Sequence, residues 1–390
     1  MQKKKVAALG ATAALVAVSL AFSALPAQAN PVGTSDGYVI VGSDTLQDAV
    51  NALTNGTKIT GPNVRSVAAG RILSNYDAFP NDLSIAGSLI QTKAYGPYFQ
   101  RPAGSGNGKT ALLASMGVNG TGAAATNVWA GVNVSGQIDL SRSSSGPSAN
   151  ASGSLAYVPF GRDAVAFAFK AGANISTATI NTVSSYSGTQ LLALYQAANA
   201  DVVVNTDDHI VGVLPQSGSG TREFFLKAIG HSADGKGAVS TVPTNHQSFA
   251  ENNGAALTPG ADEIWIIPFS VAQFVAQSNG AAPTNTTAGI TLGSPQGAGV
   301  KPYTGTGANL VPNSTYYASS TWGRETYIVA PYAKVVPGPG FDAKLFDALD
   351  MSNDTSLAAF VLDGDLTPAG AVKQKFGFLP PTNYNFVRSA

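Results

Sequence analysis

The sequence predicts an α/β fold with mainly parallel sheets, helices on both sheet faces and a chain shared between two domains. Two observations lead there. Short apolar strands alternate with helical periodicity along the chain, the pattern of βαβ units. About 360 residues remain after an N-terminal leader, enough to bury a core and more than one domain usually holds.

Taken in order, Tyr38-Val39-Ile40-Val41 reads as a strand that runs into the turn Gly42-Ser43-Asp44-Thr45. Leu46, Ala49, Val50 and Leu53 then recur at helical spacing, with Ser43 or Asp44 placed to cap the helix. Gly104-Ser105-Gly106-Asn107-Gly108-Lys109-Thr110 leads into a helix over Ala111–Met116. Strands follow at Ala164–Phe169, Ile210–Leu214 and Thr326–Ala330. Pro215-Gln216-Ser217-Gly218-Ser219-Gly220-Thr221 precedes a helix with Phe224, Phe225, Ala228 and Ile229 on one face. Further helices are expected at Gln190–Ala198, Ser270–Gln277, Ala343–Met351 and Ser356–Leu362. Gly117–Gly136, Ser141–Ser154 and Asn279–Asn309 resist the pattern, and the last reads as a long surface insertion. No repeat of fixed period is present, which argues against a solenoid or propeller.

Residues 1–29 have the form of a signal peptide: Lys3, Lys4 and Lys5, an apolar run from Val6 to Leu25, and Ala27-Gln28-Ala29 before the cut. The length of that run also fits an uncleaved N-terminal anchor. Cleavage after Ala29 makes Asn30 the mature N-terminus and the protein secreted, periplasmic or extracellular. The chain contains no cysteine, so it carries no disulfide, no thiolate metal site, no cysteine nucleophile and no lipid-bearing N-terminal cysteine. Formal net charge is zero with 11% charged residues, and no basic face points to nucleic acid.

The chemistry-bearing theme is small-residue loops at helix starts. First-turn amides lack intrahelical partners and the helix dipole is positive there, so such a loop receives anions without formal charge. Ser43–Thr45, Ser105–Gly108 and Ser217–Thr221 are three such loops. Each alone is accounted for by ordinary capping; three together favour a ligand held between them. Arg142, within Ser141-Arg142-Ser143-Ser144-Ser145, offers a guanidinium among hydroxyls that can hold an oxyanion, and a surface arginine in a flexible serine-rich loop accounts for it equally well. Arg162-Asp163 reads as a structural ion pair, and Arg222 either reaches the ligand or packs on its loop.

Enzymatic readings find little support. Ala103 stands where a P-loop needs its first glycine, and no Mg²⁺-holding aspartate follows an apolar strand. Ser217 replaces the glycine two before Ser219, so no nucleophile elbow is formed. His209, His231 and His246 lie in no context that orients a base, and His209 beside Asp207-Asp208 is at most a weak metal ligand.

The order of these loops resembles the phosphate-binding proteins of bacterial ABC transporters, of the type II two-lobed class, from about Tyr38 towards the C-terminus. Gly42 to Leu46 matches the family's first loop, with Thr45 in the ligand place. Gly104-Ser105-Gly106 matches its Gly-Ser-Gly loop, and Ile138 to Ser144 its apolar-Asp-aromatic segment. Gly218-Ser219-Gly220-Thr221 matches its signature loop letter for letter. Pro268–Gln277 resembles the helix on the return to the first lobe.

The resemblance implies a first lobe over 30–160, a second over 161–265, and a return of the chain to the first over 266–390 after two crossovers, with the insertion near 279–309. It implies a monomer without cofactor, metal or catalysis that captures inorganic phosphate or a similar oxyanion for transport by an ABC-transporter permease. The implied ligand residues are Ser43, Asp44, Thr45, Ser105, Arg142, Ser143, Ser144, Ser217, Gly218, Ser219, Gly220 and Thr221. Two positions depart from the family: Ser144 stands at its proton-accepting aspartate and Pro215 at its arginine. Arg142 as guanidinium and Asp44 as carboxylate are the replacements expected. A secreted cell-surface or matrix protein that keeps the fold without transport is the alternative, and a hydrolase a third.

Overall fold

The computed structural model describes residues 36–79, 88–118, 126–205, 207–233, 237–297 and 299–389. The expected leader and its cleavage site lie outside them. Among the described residues no helix is long and apolar enough to cross a membrane.

Ten strands make one mixed sheet, numbered here in chain order: β1 (Tyr38–Gly42), β2 (Leu73–Asn75), β3 (Leu140–Ser143), β4 (Leu155–Ala171), β5 (Asp201–Val204), β6 (Asp208–Gly212), β7 (Glu263–Ser270), β8 (Thr291–Leu292), β9 (Gly323–Pro331) and β10 (Val387–Ser389). The order across the sheet is β2-β1-β3-β9-β4-β7-β6-β5, with β8 and β10 also on β4. The pairs that follow a strand–helix–strand path are parallel as expected: β1 with β2 and β3, and β6 with β7. The antiparallel pairs come chiefly from strands that pass between lobes or end the chain: β4 with β9, β7, β8 and β10, and β9 with β3. β5 and β6 add a local antiparallel hairpin.

The two lobes share β4. Its first ten residues, Leu155 to Ala164, pair with β9; Val165 to Ala171 pair with β7. Val39 and Val41 of β1 point into one apolar cluster, Tyr38 and Ile40 into another. The first lobe therefore packs both faces of its sheet, which explains why β1 reads as an unbroken apolar run rather than an alternation. The second lobe has one large cluster, from Ala164 to Trp322, around β4, β6 and β7.

Helices α1 (Gln47–Asn55), α2 (Ser105–Ser115), α3 (Thr177–Val183), α4 (Gly188–Gln196), α5 (Gly220–Ala228) and α6 (Val271–Ser278) cover the sheet. α4 begins with a capping box between Ser187 and Gln190, and Ser270 caps α6 by accepting from Gln273 N. α6 lies between the lobes. Val271, Phe274 and Val275 pack on the second-lobe cluster, Ala272 and Ala276 on the first.

Three expectations need correction. Ser356–Leu362 is not a helix: 356–360 is buried on every side and runs in bends, with Val361–Leu362 in a two-stranded hairpin. The helix expected over Ala343–Met351 ends at Asp347. The 279–309 segment is not a surface insertion. Ile290 and Leu292 join the second-lobe core and β8 pairs with β4, so the return to the first lobe is drawn out until β9.

Candidate functional site

β1, β3 and β4 carry the first lobe's contribution, and the three small-residue loops meet at the junction with the second lobe. The α1 N-cap is Leu46, with no side-chain cap, so neither Ser43 nor Asp44 serves as the expected cap. Both turn inward instead. Ser43 Oγ donates to Ser144 Oγ at 3.1 Å, and Ser105 Oγ lies 3.1 Å from the same oxygen. Ser105 Oγ also accepts from Ser144 N at 2.9 Å.

The N-terminus of α5, in the second lobe, abuts the hydroxyls of Ser105, Ser144 and Ser145. A Cβ on Gly220 would lie 2.5 Å from Ser144 Oγ and 2.9 Å from Ser145 Oγ, and closer still to Ser105 Oγ, so only glycine allows this approach. Gly106 N donates to Gly218 O at 3.1 Å, closing the lobes by direct backbone contact. The first-turn amides of α5 have no intrahelical acceptor and add the positive end of its dipole.

Beside the hydroxyls lies a buried charged group. Thr45 and Thr221 hydroxyls sit 3.4 Å apart and both donate to Glu251 Oε1, at 3.0 and 2.5 Å. Arg324, only 4% exposed, donates through Nη2 to Thr221 Oγ1 at 2.9 Å and Thr45 Oγ1 at 3.4 Å. Asp163 anchors that guanidinium: its Oδ2 accepts from Nε at 3.1 Å and Nη2 at 2.8 Å. Asp163 in turn accepts from Ser270 Oγ and Ala272 N, tying β4 and β9 to the start of α6. Asn252, held by donation from Ser270 N, gives Asp44 Oδ2 a hydrogen bond of 3.0 Å.

Three buried atoms here have no hydrogen-bond partner among the described residues: Arg324 Nη1, Asp44 Oδ1 and Glu251 Oε2. Buried polar atoms left in this way are uncommon, and each costs about 1–3 kcal/mol. Burial raises the Asp44 carboxyl well above the usual carboxylate range, and the neighbouring Glu251 carboxyl raises it further. Two neighbouring carboxyls can share a hydrogen bond only when one of them keeps its proton.

Several predicted site residues take other roles. Arg142 is wholly buried behind the first loop, donating from Nε to Ser43 O, from Nη2 to Gly42 O and from Nη1 to Asn75 Oδ1. Burial lowers it to about 10, which leaves it charged at neutral pH. Its guanidinium shapes the loop and does not face the hydroxyls, contrary to the expected ligand role. Ser143 Oγ is spent on Ser145 of its own turn, and Ser217 is exposed. Ser219 Oγ caps α5 by accepting from Arg222 N, while Gly218 packs its backbone on Gly104 and Gly106.

Arg222 packs on its loop, donating to Pro215 O, Gln247 and Gly237 O. Arg162 and Asp163 do not pair with each other. β4 and β9 place Arg162 opposite Glu325 and Asp163 opposite Arg324, giving two crossed ion pairs on opposite faces. His209 pairs with Asp201 rather than with the adjacent aspartates, and no cluster of metal-ligating residues occurs among the described residues. Outside the hydroxyl cradle, a solvent-open cavity of about 390 Å³ is bordered by Ser105, Asn107, Ser145, Ser219 and Glu223.

Sequence reasoning missed Arg324, Glu251 and Asn252. The first was legible in part: Arg162-Asp163 and Arg324-Glu325 are reciprocal dipeptides, the pattern antiparallel pairing turns into two ion pairs. Nothing around Glu251-Asn252-Asn253 marks it as more than a polar loop.

No family model matches the chain, and no curated protein does. Solved structures do show a likeness over most of its length. A putative phosphate ABC transporter substrate-binding protein with bound phosphate from Clostridium perfringens is 12% identical over 89% of this chain and 100% of its own, with a TM-score of 0.44. The phosphate-binding protein from Stenotrophomonas maltophilia is 14% identical over 90% and 92%, TM-score 0.42. A possible phosphate binding protein from Planctomyces limnophilus is 13% identical over 88% and 98%, TM-score 0.38. At such identities no residue's role passes from them to this chain.

Proposed function

We propose that the chain is a secreted solute-binding protein that closes its lobes on inorganic phosphate or a related oxyanion and delivers it to an ABC-transporter permease. One observation carries the reading: the linked hydroxyls of Ser43, Ser105 and Ser144 from the first lobe meet the N-terminus of α5 from the second through Ser105 and Ser144, and the buried Arg324 bonds Thr221 in the first turn of that helix. Hydroxyls that now satisfy one another would exchange neutral hydrogen bonds for charge-assisted ones, which are roughly twice as strong. Arg324 Nη1 supplies formal positive charge, and Thr45 and Thr221 are held at the same place by Nη2.

Glu251 takes the discriminating part that the sequence assigned to Asp44 alone. Its donor-free Oε2 repels a fully ionised oxyanion and can accept the hydroxyl proton of monohydrogen phosphate or arsenate. Ligand entry requires the lobes to part at the Gly106–Gly218 contact.

The test is thermal unfolding of residues 30–390 after exhaustive dialysis, with phosphate, arsenate, sulfate or buffer alone. A ligand at a hundred times its dissociation constant stabilises by about 2.7 kcal/mol. Stabilisation by phosphate and arsenate but not sulfate is expected. Stabilisation by sulfate as well would remove the role given to Glu251, and no shift with any anion would end the oxyanion reading.

A further inference from the structure

We propose that Asp44 and Glu251 act as one acid pair, divided between the lobes and holding a single proton, so that closure over the ligand is coupled to proton uptake. The proposal rests on the oxyanion reading above for its ligand, but its proton has its own geometric grounds.

Asp44 belongs to the first loop, after β1; Glu251 follows Phe249, whose backbone is paired with Leu214 of the second lobe. Each carboxyl is bonded to the other's chain neighbour, Asp44 to Asn252 and Glu251 to Thr45, which sets the two side by side where the lobes meet, and both are buried. Their donors are few. Glu251 Oε1 takes both threonine hydroxyls and Asp44 Oδ2 takes Asn252, while Asp44 Oδ1 and Glu251 Oε2 have no donor among the described residues. A proton between the carboxyls supplies what the remaining oxygens lack.

The surrounding charges point the same way. Arg324 on β9 faces the pair through the threonine hydroxyls, but Asp163 on β4 already neutralises it. Arg142 on β3 lies behind the loop and shares its field with Asp77, and Asp48 on α1 adds a further negative charge near Asp44. α6 contributes only the Gln273 amide, which donates to the main-chain oxygens of Asp44 and Thr45. Each carboxyl left ionised adds a negative charge that opposes the anion, and one shared proton removes one of them. With one proton, the pair presents a donor and an acceptor side by side.

The sign follows from burial. Asp44 is raised in the closed molecule and returns to the ordinary carboxylate range once the lobes part or the chain unfolds. The closed state therefore holds more protons. It is fully favoured at low pH and loses ground as pH rises above the ordinary carboxylate range, by up to tenfold in the equilibrium constant per pH unit.

The experiment compares the ligand-free chain with Asp44→Asn and Glu251→Gln from pH 4.5 to 8.5 by urea unfolding. It then measures inorganic phosphate binding calorimetrically in two buffers of different ionisation enthalpy. Wild-type stability is expected to fall with pH across part of this range, and the fall should vanish in Asp44→Asn. If that variant does not fold, Glu251→Gln serves, and the fall should shrink rather than vanish, because Asp44 then keeps only the part of its raised value that burial gives. A wild-type profile without a fall, or variants that run parallel to it, would overturn the pair. Variants that flatten the profile while phosphate binds nowhere would leave the pair standing and end the oxyanion reading. Phosphate binding with parallel profiles would do the reverse.

Discussion

Arg324 does two things with different nitrogens. Nε and Nη2 hold Asp163, Nη2 also reaches Thr45 and Thr221, and Nη1 has no hydrogen-bond partner among the described residues. Lysine has one donor centre and cannot do all of this at once. Arg324→Lys is therefore expected to weaken phosphate binding by about 2–3 kcal/mol, near a hundredfold in Kd, measured by calorimetry. An unchanged Kd would place the anion away from Arg324. Arg142 gives the contrast. Arg142→Gln should lower stability by about 3 kcal/mol in urea unfolding, because it abandons the buried carbonyls of Gly42 and Ser43. At this scale the sequence showed three small-residue loops ahead of helices, and the structure brings them together. It could not show which way a guanidinium points. Arg142 sits among serines and turns its back on them, while Arg324 stood just outside the expected strand and was read as nothing.

Among the elements, the legible ones carry either helical spacing or a short apolar run bounded by turn residues. α4, α5 and α6 follow from helical spacing and β1, β6 and β9 from short apolar runs, and in the structure Ser187, Ser219 and Ser270 cap the three helices. The 356–360 segment failed because burial on every side erases the period that distinguishes helix from bend. A distant side chain holds it instead. Lys373, fully buried in the helix Pro368–Lys375, donates to Phe160 O at 2.8 Å, Leu357 O at 2.7 Å and Ala359 O at 2.9 Å. Its ammonium also lies 4.3 Å from the Phe160 ring centre. No local pattern announces a lysine that crosses to other elements. Lys373→Met keeps the stem and removes the donors, leaving carbonyls buried without partners. It should destabilise by about 3 kcal/mol or more, read from the urea midpoint with the slope unchanged. A loss under 1 kcal/mol would mean the segment holds itself.

For the whole molecule, the decisive object is β4. It is seventeen residues long and contributes to the cores of both lobes, with Ala156, Val158 and Phe160 in one and Val165, Phe167 and Phe169 in another. Proteins with two domains joined by linkers often unfold in two steps. Here neither lobe can lose its sheet without fraying a strand the other needs. Asp163, at the midpoint, adds four accepted hydrogen bonds that join β4, β9 and α6. The ligand-free protein is thus expected to unfold in a single calorimetric transition, with van't Hoff and calorimetric enthalpies in a ratio near one. Asp163→Asn leaves the shape but strands the Arg324 charge in the interior, a change that costs about 3–5 kcal/mol when a buried pair is broken. That cost falls at the junction, so the variant should both melt earlier and broaden or split its transition. Two resolved transitions in the wild type would show that the lobes fold independently despite sharing the strand. A variant that melts earlier in one sharp step would show that Asp163 supports stability without coupling the lobes.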